Sequence, residues 1–208
     1  MPKNIRIVSM MLCNIPKFVK GRIYLSASDC IWDPVEYVDK YIHTYFTDEY
    51  GSPIGDENLD YGGFLQIIDT STLKIIADRG LFACFRGIER NILDSIKFIP
   101  NYPPNSIYEK ISHHLVFMGW DICQGNGWVS ASCEGIYPVD PLTGEELDEN
   151  AGQINRFGLF DQLYDCRAYC EMNNMEIPEH SPWYSVAVYV DDSSYDRLQK
   201  YYKKMMKK

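Results

Sequence analysis

No stretch of this chain approaches the roughly 18 consecutive apolar residues of a membrane-spanning helix, so an integral membrane role is not expected. A secretory leader is missing too. Lys3 and Arg6 precede only a short apolar run, Ile7 to Cys13, which Ser9 interrupts and no small-residue cleavage site follows. The glycine motifs of nucleotide sites are absent: no Gly-x-Gly-x-x-Gly follows a strand and no glycine-rich loop ends in Gly-Lys-Ser/Thr. No Gly-x-Ser-x-Gly elbow is present either. Histidine is scarce, at four. The seven cysteines are odd in number and scattered through apolar segments, which suits reduced, buried thiols better than a disulfide framework. A cytoplasmic protein without a cofactor is the expectation.

Positive charge is short and misplaced. Six of the 20 basic residues, one Arg and five Lys, fall between Arg197 and Lys208 with no acid among them, leaving 14 against 29 acids in the chain before Arg197. Such a body is poorly suited to nucleic acid, whose phosphates are bound by Lys and Arg. It suits a basic protein partner instead. Apolar content is ample: 46% hydrophobic and 14% aromatic residues can fill one core, so residues 1–208 read as a single globular domain.

The pattern of elements predicts an α+β fold, a mostly antiparallel sheet built around a central hairpin (about 115–133) with four or five packed helices. Leu115 to Cys123 is apolar and aromatic, Gly125-Asn126-Gly127 tolerates a tight turn, and Trp128 to Cys133 resumes with alternating small and apolar residues. Further strands are predicted at Asn4 to Leu12, Arg22 to Leu25, Phe64 to Ile68, Leu73 to Ile76 and Trp183 to Val190. Helices are predicted near 34–49, capped by Asp33 and Pro34, near 87–99, where Ile88, Ile92, Leu93, Ile96 and Ile99 form a stripe, near 161–173, capped by Asp161, and near 194–206. A short helix carrying Ile107 and Ile111 would make a fifth.

Candidate chemistry is sparse. Cys166 and Cys170, with Cys123, Cys133, His113 and His114, lack the two-residue spacing of a zinc knuckle, and no metal site is expected. Cys133 and His180, with Glu179 as an orienting carboxylate, would be the pair of a small hydrolase or transferase if the fold brought them together. The acidic segment is a stronger feature. Glu134, Asp140, Glu145, Glu146, Asp148 and Glu149 follow one another without a Lys or Arg between them. They could form a solvated loop or an electrostatic platform for a basic partner, with Tyr137 as an aromatic anchor, but they lack the register of a calcium loop.

At Met118-Gly119-Trp120-Asp121-Ile122, Trp128-Val129-Ser130-Ala131-Ser132-Cys133, Asn155-Arg156-Phe157-Gly158-Leu159-Phe160 and Pro178-Glu179-His180-Ser181-Pro182 the chain resembles a group of bacterial proteins connected with the immunity proteins of polymorphic toxin systems. The resemblance is confined to the second half of the chain. It implies a protein that binds its cognate toxin in the cytoplasm and blocks it without doing chemistry. The expected function is therefore neutralisation of a basic toxin by direct binding; the Cys133/His180 enzyme stays open as the alternative.

Overall fold

The computed structural model describes residues 4–13, 18–25, 77–78, 80, 82–93, 114–124, 130–178 and 181–208. Its main sheet is built from strands with almost no hydrophilic alternation. Strand β1 is Ile5–Cys13, and a short hairpin follows in β2, Phe18–Val19, and β3, Arg22–Ile23. Strand β4, Phe82–Glu89, leads into the single helical turn α1, Arg90–Leu93. Strand β5 is Leu115–Gln124, helix α2 is Leu163–Glu176, strand β6 is Trp183–Asp191 and helix α3 is Asp192–Met205. The sheet order is β1-β4-β6-β5, and every pairing is antiparallel.

Adjacent residues of a strand point to opposite faces, and in β4 and β6 both faces are covered. Ala83, Phe85, Ala187 and Tyr189 join Cys166, Tyr169 and Cys170 of α2 in one core. Their neighbours Phe82, Cys84, Val188 and Val190 join Leu198 of α3, with Ile23 and Leu25, in another. The two helices therefore lie on opposite faces of the sheet. Burial on both sides explains why only Glu89 of β4 and Tyr184 of β6 are not buried.

Among the described residues a single bridge, Cys123 to Ser130, continues the pairing beyond β5, and the expected second strand of the central hairpin gives way to a 3-10 helix at Ala131–Glu134. Ser130 is its N-cap, accepting from the Ser132 N–H and donating its hydroxyl to Asp121 Oδ1 at 2.9 Å. The small residues that read as strand alternation are thus capping groups, the role in which Ser outcompetes a strand. The centre of the sheet is β4 and β6, and β5 is at its edge.

The helix count is also corrected, since the described residues contain three α-helices rather than four or five. Of the stripe predicted near 87–99, Ile88 lies on strand β4 with no exposure, and only Arg90–Leu93 is helical among the described residues. The helices expected at 34–49 and around Ile107, the strands Phe64 to Ile68 and Leu73 to Ile76, and the turn Gly125-Asn126-Gly127 lie outside the described residues. Helix α2 begins after Gln162, because Asp161 is occupied in accepting from Asn155 Nδ2 at 3.0 Å. Helix α3 starts directly from β6, whose last residue Asp191 accepts from the N–H groups of Ser193 and Ser194. Lys203 and Lys204 in its last turn complement the helix dipole.

Two glycines let the turn after residue 153 close on the sheet. Gly119 has φ +145 at a bulge in β5, and a Cβ there would stand 2.7 Å from Leu159 Cβ and 2.9 Å from Phe160 O. Gly158 has φ +69, with Tyr24 Cδ1 2.6 Å from where its Cβ would be. Asn155 holds the turn from within. Its Oδ1 accepts from the N–H groups of Phe157 at 2.8 Å and Leu159 at 3.3 Å, and its Nδ2 reaches Met118 O at 3.0 Å.

Candidate functional site

The acidic segment is an ordered turn. Val139 and Glu146 form an antiparallel bridge, Leu147 N–H donates to Pro138 O at 2.8 Å, and Asp140 N–H donates to Glu145 O at 2.9 Å. Asp140 shapes the tip, accepting from Leu142 N–H at 2.7 Å and from the Thr143 hydroxyl at 2.8 Å, an arrangement typical of Asp in turns. These bonds, the hydroxyl first, hold its carboxyl below the usual value. Gly144 closes the tip at φ +69, where a Cβ would meet Lys20 Cβ and Val19 Cγ1 at 3.0 Å. The β2–β3 hairpin packs against it there.

The acids divide by what they already hold. Asp148 caps the 3-10 helix Glu149–Gln153 through Asn150 N–H and accepts from Tyr169 OH at 2.6 Å. Burial, then that bond, raises the Tyr169 phenol well above its ordinary value. Asp140 and Asp148 are thereby structural. Glu145, Glu146 and Glu149 are exposed, and none of them enters an ion pair among the described residues. Leu142 and Leu147, at 74% and 49% exposure, project from the same turn. They are the apolar residues that sequence reasoning missed, since a lone Leu between acids carries no periodic signal.

Tyr137 is not an anchor for a partner. It is 1% exposed, donates its hydroxyl to Gly158 O at 3.1 Å and stacks edge-on against Phe160. Its phenol is pushed well up by burial. The sequence Ile-Tyr-Pro-Val placed it beside the acids, but the chain turns it inward to fill the core.

A second polar cluster lies inside the molecule. Asp121, with no exposure, has Arg86 Nη2 at 3.6 Å across the sheet, and both side chains are buried. Its Oδ1 also accepts from Ile122 N–H at 2.9 Å, its Oδ2 from Cys123 Sγ at 3.4 Å, and its carbonyl from Cys166 Sγ at 3.3 Å. Burial is the main cause that pushes the Cys123 and Cys166 thiols well up, with Arg86 opposing it at Cys123 and Cys170 adding to it at Cys166. Enclosed thiols are poor nucleophiles, and the contacts of this cluster tie β4, β5 and α2 together.

The side chains of the Cys133/His180 pair lie outside the described residues. The Cys133 backbone lies in the 3-10 helix Ala131–Glu134, while its side chain, that of Glu134, and all of Glu179, His180 and His113 lie outside the described residues. Among the described residues no group of three or more His, Cys, Asp or Glu is placed to hold a metal ion, and no helix is long and apolar enough to cross a membrane. Comparison with protein-family models, with curated proteins and with solved structures returned no match.

Proposed function

We propose that this chain is a cytoplasmic binding protein that neutralises a basic protein, as an immunity protein does its cognate toxin, by seating the turn of residues 138–149 on the partner's cationic surface. The observation that carries this reading is the state of the three glutamates. Glu145, Glu146 and Glu149 stand exposed and, among the described residues, enter no ion pair, on a backbone pinned by the Val139–Glu146 bridge and by Asp148. A pinned turn loses little conformational entropy when it is covered. Leu142 and Leu147 supply apolar area between the charges, while the acidic body steers a basic partner inward.

The test uses tagged protein and a variant with Glu145→Gln, Glu146→Gln and Glu149→Gln in a lysate of the native host. The expected result is one stoichiometric basic protein retained by the parent and weakened by salt, with association about tenfold slower for the triple variant. That protein, expressed alone, should arrest growth, and co-expression of this chain should relieve the arrest. Equal recovery by parent and variant, or no relief of toxicity, overturns the reading.

A further inference from the structure

The outer face of α2 and the outer face of α3 are complementary to each other. Tyr164, Ala168, Glu171 and Met175 recur at spacings of four, three and four, which places them in one stripe along α2. All four are exposed, Tyr164 at 81% and Met175 at 76%. Glu171 lies within the stripe, while Asp165 and Glu176 run along one flank. The only cation of this helix, Arg167, is engaged by Glu89. A stripe of Tyr164, Ala168 and Met175 around Glu171, with a net negative border, is thus left open to solvent.

Helix α3 carries the opposite pattern. Asp196 is an acid on the outer side of it, and Lys200, Lys203 and Lys204 follow on that side at spacings of three and four, with Lys207 continuing the row beyond its end. All four lysines are exposed, and none meets a carboxylate among the described residues. Met206, at 57% exposure, comes one turn after Tyr202 and borders the row rather than lying in it. The other side of α3 is committed to the core through Leu198, Tyr195 and Tyr202, so the lysine row faces away from the body.

We propose that α3 of one copy docks along the outer face of α2 of a second copy. Lysine ammonium groups meet Glu171 and Glu176 and the face of Tyr164, while their methylene stems cover Ala168 and Met175. Because α2 and α3 lie on opposite faces of the sheet, the contact is head-to-tail. A copy whose α2 is covered still presents its own α3, and association does not stop at a dimer unless a ring closes.

Sedimentation velocity of the full chain tests this at concentrations up to about 1 mM and in low or about 0.5 M salt. The sedimentation coefficient should climb with concentration past that of a dimer and fall back in high salt. One variant, Tyr164→Ser with Met175→Ser, removes the acceptor face; another, Lys203→Glu with Lys204→Glu, removes the donor. Each alone should associate at least about tenfold more weakly, with the parent's circular dichroism. An equimolar mixture should form a dimer that grows no further, since one intact donor meets one intact acceptor. A parent that stays monomeric, association unaltered by either variant, or a mixture no different from its components overturns the proposal.

Discussion

A carboxylate without exposure inside a sheet is tolerated only when its charge and lone pairs are met, and Asp121 has a guanidinium, a serine hydroxyl, a backbone N–H and a thiol around it. Replacing Asp121 with Ala removes the carboxylate from beside the buried Arg86. Chemical denaturation should show a loss of about 3–5 kcal/mol, whereas an apolar pair of similar volume at both positions should cost far less. Little of this was legible beforehand. The motif containing Asp121 stood out in the sequence, but its partner Arg86 lies 35 positions away in a segment read as lacking a strand. The same distinction separates the acids of the turn. Asp140 and Asp148, the shorter side chains, bend back onto backbone N–H groups, while the longer Glu145, Glu146 and Glu149 reach solvent.

Among the elements, Trp183 to Val190 was legible because β-branched and aromatic residues dominate it, and the last two helices by their extent, although α2 starts without the Asp161 cap. Strand β4 was not. Phe-Ala-Cys-Phe-Arg-Gly-Ile shows no period of two because both of its faces are buried, and Ile88 happens to extend a helical spacing into Ile92. The bulge at Gly119 is equally silent, since a glycine in a strand does not reveal which backbone will approach it. Gly119→Ala should destabilise the protein by at least about 2 kcal/mol, measured by urea unfolding, because a Cβ at φ +145 meets Leu159 and the carbonyl of Phe160. A retained midpoint would mean that the 154–160 turn is free to move off β5.

At the scale of the molecule, the charge asymmetry between an acidic body and a lysine-rich end was readable from composition, and the structure assigns part of it to one turn and two helix faces. The two-sided burial of the sheet was not, because it depends on α2 and α3 crossing to opposite faces. It carries its own prediction. In native-state hydrogen exchange the amides of Val186 to Val190 and of Cys84 to Arg86 should be the most protected, opening only with global unfolding. Faster exchange there than in α2 would place the stable centre elsewhere.

The position of β6 between β4 and β5 also bears on how the protein is made. Translation delivers β1, β4 and β5 first, and until residues 183–191 emerge from the ribosome β4 pairs, among the described strands, only with β1, while β5 has no described neighbour in this sheet. The apolar faces of those strands stay open during synthesis, and the sheet is completed from its middle by a late segment. Slowed translation just ahead of Trp183 should therefore prolong chaperone engagement of the nascent chain more than an equal pause placed after Asp191.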